Sequence, residues 1–475
     1  MAKVYVLFRF DTEDYVLPAC DDVTKEIADV LYRNGVRATF ITVGELARTW
    51  ERRGRTDVIE SLRRHSIGYH TNYHSKHPVP PEYCEGLTWE EGVAEIIRRE
   101  GSGVRDLRRI FGQNPACYVQ GGGAWTPTYM GAMREWGLPS FWEAGSWHSF
   151  VSYHDQPFWY CGVLIFDAHV RLGNPLCLSE KPEAMDNLKK SFAQAYEKLH
   201  PSGGICSPGA HPNNLNTTES WDGVDYRWGE NIPRTSWRMP KRKPAKVVRA
   251  NFKGLDAIAK YMRAFPDTEF IGCDTALGLF PDLAQGAVYE PKALTKLAQA
   301  VQDEVTFYPG PVANSYITAS EAYWLLLGLL AEYLWEGEVK AQKLVRTPLG
   351  PSLRVTTKIR AKALPGPAVL QAAAEAFEYV TEFDQLPNSV VVEHEQVTLA
   401  DFFVAVAHVA EQLLRKGTVP DEVPYRRANY TLEQYDTSEK VEFGWAIFRR
   451  GWRADHLIEL ARLHLWSLKP AVYQP

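Results

Sequence analysis

The sequence predicts an α/β fold with a parallel sheet, followed by a smaller, mainly α-helical repeat domain. Short apolar runs alternate with helix-period segments from residue 4 to about residue 271. Beyond about residue 285 the texture changes to helices joined by Pro-rich turns. All seven cysteines (Cys20, Cys84, Cys117, Cys161, Cys177, Cys206, Cys273) lie before residue 274, a composition break that sets the expected domains at 1–285 and 286–475. A chain of 475 residues exceeds one ordinary core, which agrees with that division.

Residues 4–10 read as the first strand, and 22–34 (DVTKEIADVLYRN) as a helix stopped by Gly35. Residues 38–43 (ATFITV) give a second strand and 67–70 a short third one. A long helix is expected over 88–111, interrupted near Gly101-Ser102-Gly103. Then come strand 117–119, helix 127–136, strand 163–166, helix 183–200, strand 204–207, helix 245–265 and strand 269–271. Parallel α/β folds gather ligands at the carboxyl ends of their strands. Three polar clusters fall there: Asp11-Thr12-Glu13-Asp14, His70-Thr71-Asn72-Tyr73-His74 and Ala210-His211-Pro212.

In the second half, residues 317–323 (ITASEAY) match 397–403 (VTLADFF) without gaps. Both copies run through an apolar helix to Gly337 and Gly417; Thr318 and Thr398 suit N-caps and the glycines suit C-caps. A shorter echo relates 386–390 to 419–423, so this half reads as helical repeats serving binding, docking or homo-oligomer formation.

With 45% apolar and 23% charged residues the chain is of the soluble globular type, and a net charge of −5 argues against a nucleic-acid partner. The basic run 234–249 reads as a solvated loop leading into a helix. No apolar stretch approaches the roughly 18–20 residues of a transmembrane span. The start reads as a buried strand instead of a signal peptide, and the scattered cysteines, never in a CxxC pair, read as free thiols; a cytoplasmic protein is expected.

Two imidazoles four residues apart, His70 and His74, can close on one metal ion, and a carboxylate completes the donor set expected for zinc or a similar divalent ion. A spare carboxylate beside such a site is what a metal-assisted hydrolase needs to deprotonate water.

These motifs resemble the polysaccharide deacetylase (NodB-homology) domain of carbohydrate esterase family 4 over residues 1 to about 280. His70-Thr71-Asn72-Tyr73-His74 stands where that family has His-Ser/Thr-x-x-His, with the approach His65-Ser66-Ile67-Gly68-Tyr69 also similar. The resemblance implies a distorted (β/α) barrel, Asp11 as general base, and His70, His74 and either Glu13 or Asp14 as metal ligands, Glu13 being favoured. It implies Zn2+ as the cofactor, with Co2+, Mn2+ or Ni2+ as alternatives, and His211 as the acid that protonates the leaving amine. The third family motif carries an Arg that orients the base; here residues 118–125 (YVQGGGAW) have Gln120 instead, so an ion pair to Asp11 is expected to be missing. Gln120, Gly122, Gly123 and Trp125 are the candidate substrate contacts, and Trp142, Trp147 and Tyr153 are candidate stacking residues. The implied reaction is removal of an acetyl group from an N-acetylated sugar, glycan or glycan precursor. The alternatives are a cyclic-amide hydrolase of the allantoinase type on the same scaffold and a catalytically inactive glycan-binding protein. The C-terminal helices bear a short resemblance to pseudomurein-binding repeats.

Overall fold

A computed structural model describes residues 2–123, 125–143, 149–441 and 448–474. Among the described residues the first half contains ten strands: β1 (Val4–Val6), β2 (Phe8–Thr12), β3 (Ala38–Thr42), β4 (Ser66–Tyr69), β5 (Ser140–Trp142), β6 (Phe158–Tyr160), β7 (Val163–Phe166), β8 (Val170–Leu172), β9 (Gly204–Ala210) and β10 (Thr268–Phe270). Six of them form a parallel sheet in the order β10-β1-β9-β2-β3-β4, with β8 added alongside β9. The single strand expected over 4–10 is divided at Leu7, because β1 pairs with β10 and the start of β9 while β2 pairs with β3 and the end of β9. Of the strand expected at 117–119, only Tyr118 bridges, to Tyr69 on one side and Phe141 on the other. Through it the sheet continues to β5, β7 and β6, the last antiparallel to β7. Every residue of β3 and β4 is buried, as a parallel strand covered on both faces requires.

Helices Ala19–Arg33, Gly44–Arg52, Thr128–Trp136, Ala184–Leu199 and Ala245–Arg263 connect the strands. The helix Trp89–Phe111 has no interruption at its glycines. Thr88 and Glu91 close a capping box at its start, and Gly112, with φ of 67°, ends it. Gly103 serves a different need: a Cβ there would lie 2.6 Å from Tyr69 Oη and 3.0 Å from Asn72 Oδ1, so the residue lets the helix touch the end of β4.

In the second half, Ala319–Glu336 and Leu399–Lys416 are equivalent helices of 18 residues. Thr318 accepts from Glu321 N and Thr398 from Asp401 N, while Gly337 and Gly417 end them with the same φ of 75° and ψ of 11°. Ala319–Glu336 packs on Gly366–Phe383, and Leu399–Lys416 on Pro291–Asp303. One apolar core runs continuously through both halves. The short strand Lys469–Pro470 returns to the first half and pairs antiparallel with β6, and Lys469 Nζ is buried between Asp282 Oδ2 (2.8 Å) and Glu321 Oε2 (2.9 Å). Among the described residues no helix is long and apolar enough to cross a membrane.

Candidate active site

Strands β9, β2, β3 and β4 are neighbours, and the residues that leave their carboxyl ends meet above the sheet. Glu13 follows β2, His70 and His74 follow β4, and their ligand atoms all lie within 4.8 Å of one another. Glu13 Oε2 is 2.8 Å from His74 Nε2 and 3.5 Å from His70 Nε2. On the far side of each ring, His70 Nδ1 donates to the Val119 carbonyl at 2.9 Å and His74 Nδ1 meets Ser75 Oγ at 2.6 Å. A proton held at Nδ1 leaves Nε2 with its lone pair, so both rings aim a metal-binding atom at the same point. Two imidazole nitrogens and one carboxylate, all buried, fit a divalent cation of the zinc type. Burial pushes the Glu13 carboxyl up, but the electrostatic influence of the His74 and His211 rings, with hydrogen bonding to His70 and His74, outweighs it and holds it well below its ordinary range.

The histidine loop is held from below. Glu100, buried on the helix Trp89–Phe111, accepts from Asn72 N at 2.6 Å, Tyr69 Oη at 2.9 Å and Tyr129 Oη at 3.1 Å. Arg48 donates to Asn72 Oδ1 at 2.8 Å, and Thr71 Oγ1 accepts from His74 N at 2.9 Å. Those bonds keep Thr71 and His74 at φ of 60° and 55°, a left-handed conformation that is costly for such side chains. The glycine turn closes from above: a Cβ on Gly121 would lie 2.7 Å from His74 Cδ2. Gly122 and Gly123, at φ of 62° and 72°, carry the turn onward.

Asp11 stands on β2 beside this triad. Its Oδ2 is 2.9 Å from Arg9 Nη2 and 3.7 Å from His211 Nε2, while its Oδ1 is buried with no hydrogen-bond partner among the described residues. The ion pair expected to be missing is therefore present, supplied from β2 and not from the glycine turn. Arg9 also reaches Glu143 Oε1 at 3.5 Å, and Glu143 Oε2 accepts from Gln120 Nε2 at 3.0 Å. Burial alone would raise the Asp11 carboxyl; the Arg9 guanidinium first, with the His70 and His211 rings beside it, reverses that and lowers it.

Several expected contacts go elsewhere. Asp14 turns away from the histidines: its Oδ1 accepts from Val16 N and Leu17 N, each at 2.9 Å, and its Oδ2 from Cys20 Sγ at 3.1 Å. It shapes the entry to the helix Ala19–Arg33, and burial raises its pKa to about 6. Gln120 directs its Nε2 to Glu143 Oε2. Trp125 and Trp142 are each 1% exposed, the first edge-on to Phe150 and the second edge-on to Phe166, so both are core residues. Tyr153 packs with Phe307 and Tyr435 from the second half, and Trp147 lies outside the described residues. His211 keeps 42% of its side chain exposed, 3.9 Å from Glu13 Oε1, at the open side of the site. The sequence reading missed Arg9, although a lone charge inside the apolar run VYVLFRF was a visible anomaly.

Residues 2–141 match the polysaccharide deacetylase family. The resemblance carried by the FDTED and HTNYH segments is thus borne out over that stretch, which includes Arg9, the histidine loop and the glycine turn and stops before His211. At low identity the chain is also similar to a CE4 esterase from Streptococcus mutans (15% identical, TM-score 0.32, covering 57% of this chain and 85% of that one). Puue allantoinase is 12% identical, with a TM-score of 0.36 over 58% of this chain and 89% of that one. BA3943, a CE4 family pseudoenzyme from Bacillus anthracis, is 12% identical, with a TM-score of 0.30 over 57% of this chain and 63% of that one. A search of curated proteins finds no match.

Proposed function

We propose that this deacetylase-like chain is a metal-dependent hydrolase that removes the acetyl group from an N-acetylated sugar or glycan. The observation that carries the reading is the convergence of Glu13, His70 and His74 beside a base, Asp11, that has one oxygen paired with Arg9 and the other without a hydrogen-bond partner among the described residues. A divalent cation held by that triad, zinc first, would supply Lewis acidity for the acetyl carbonyl and make water easier to deprotonate. Asp11 Oδ1 takes the proton of the attacking water, and Arg9 keeps Asp11 ionised and turned toward it. His211, exposed at the rim, gives a proton to the nitrogen as the C–N bond breaks. Acetate and a free amine leave. The charge of Arg9 favours a working site over an inactive one.

The test is acetate release from N-acetylglucosamine oligomers and from UDP-N-acetylglucosamine by zinc-loaded protein, with Asp11→Asn as the control. Release that disappears in the variant supports the reading. Hydrolysis of allantoin with no acetate from any acetylated sugar would move the assignment to a cyclic amide.

A further inference from the structure

After β9 the chain forms a segment whose short helix Trp221–Asp225 packs against the back of the histidine loop. The Trp221 ring centroid is 5.5 Å from that of His74 and 4.7 Å from that of Tyr15. Next to it, Asp222 is 1% exposed, and Ser75, which faces it, is fully buried. Asp222 Oδ2 lies 3.2 Å from Ser75 Oγ, and Ser75 Oγ lies 2.6 Å from His74 Nδ1. The direct separation of His74 Nδ1 from Asp222 Oδ2 is 3.9 Å, too long for a hydrogen bond, so the serine is the link. The other carboxylate oxygen is fixed within its own turn, accepting from Gly223 N at 2.7 Å and from Ser220 Oγ.

An ionised carboxylate only accepts. The Ser75 hydroxyl hydrogen must therefore point at Asp222, which turns an oxygen lone pair toward His74 Nδ1 and requires a hydrogen there. In the neutral ring, the form that binds a cation, His74 Nε2 then carries the lone pair on the side where Glu13 and His70 converge. In the opposite tautomer Ser75 would donate to His74, and the Asp222 oxygen would face a lone pair in a buried site. His70 needs no such device, because the Val119 backbone carbonyl already fixes its Nδ1 hydrogen. We propose that Asp222 is a positioning residue that sets the tautomer of His74 through Ser75 and thereby strengthens cation binding; this rests on the metal reading above. Asp222 lies beyond the segment that matches the family.

The experiment is zinc affinity by chelator competition at neutral pH for the full chain, comparing wild type, Ser75→Ala, Asp222→Asn and the double variant. In Asp222→Asn the amide oxygen can keep the Gly223 N–H, which puts the NH2 group toward Ser75 and reverses the hydrogen-bond direction. Each single variant is expected to bind zinc about 10- to 100-fold more weakly. The double variant should be no weaker than Ser75→Ala, since in the proposed relay the carboxylate reaches His74 through the hydroxyl. Melting of the metal-free proteins separates this from a folding defect; the near-isosteric Asp222→Asn is expected to melt close to wild type. Single variants with wild-type affinity, or single losses that add fully in the double variant, would overturn the relay while leaving the metal site standing. A wild type that binds no zinc would overturn both.

Discussion

Arg9 and Asp11 leave the same face of β2, two residues apart, and their side chains meet at 2.9 Å. The position that carries an Arg in the similar family motif holds Gln120, which turns to Glu143, and Glu143 in turn faces Arg9. The positive charge beside the base has thus moved from the glycine turn to the strand. Arg9→Met is expected to lower kcat/KM for acetate release about 100-fold, the scale of an unpaired buried charge of roughly 3 kcal/mol. Adding Gln120→Arg to that variant should recover at least about tenfold of the loss, because the charge would return beside the same cluster. Steady-state kinetics on the three proteins decides it.

That pair also marks the limit of what the sequence discloses. Much of the strand and helix order, the caps Thr318 and Gly337, and the pairing of His70 with His74 were legible, because periodicity, capping chemistry and ligand spacing are local; the choice of Glu13 over Asp14 as their neighbour was left open. Arg9 was not, since its partner is defined by which face of a strand it leaves and by what is buried there. The glycines of the long helix looked like a break, but Gly103 answers to Tyr69 and Asn72, which lie more than thirty residues away. Trp125 looked like a substrate contact and Trp142 like a stacking residue, and both are core residues, because an aromatic's burial depends on the tertiary fold.

Glu13 and Asp14 should separate cleanly on substitution. Glu13→Gln removes the only carboxylate of the triad among the described residues and is expected to weaken zinc binding at least about 100-fold. Asp14→Asn keeps an acceptor for Val16 N and Leu17 N and should leave zinc affinity within about threefold of wild type. Chelator competition on both variants reads the difference directly.

Gly121→Ala should act on the site more than on the fold. The added methyl would sit 2.7 Å from His74 Cδ2 and 3.1 Å from His74 Nε2, so the ring must move. A loss of about tenfold or more in zinc affinity is expected, with a stability cost of only about 1–3 kcal/mol. Urea unfolding of the metal-free variant measures the second quantity.

Two buried histidines give stability a definite pH dependence. His65 accepts from Ala38 N at 3.2 Å and contacts the Ala28 carbonyl at 3.0 Å, and burial pushes its pKa down to about 4. Burial also takes His464 down to about 3. A histidine whose folded pKa lies below the unfolded value of about 6.5 takes up its proton on unfolding. Its contribution is therefore complete above about pH 6.5 and fades as the pH falls toward 4, by on the order of 3 kcal/mol for each ring. Asp14, raised to about 6, works the other way, since the folded protein binds its proton first and acidification through that range favours the fold. The urea midpoint is expected to fall between pH 6.5 and 4.5, and more steeply in Asp14→Asn. A flat profile would contradict the buried, neutral state of His65.

The strand Lys469–Pro470 completes the edge of β6, roughly three hundred residues earlier in the chain. Nearby, Tyr160 Oη donates to the Ala461 carbonyl and Cys161 N to Ser467 Oγ. During synthesis the first half therefore emerges from the ribosome with an unpaired strand edge, and it keeps that edge until residue 470 has cleared the exit tunnel. The first-made half is the last to be finished, so this fold is a natural client for chaperones that shelter nascent chains.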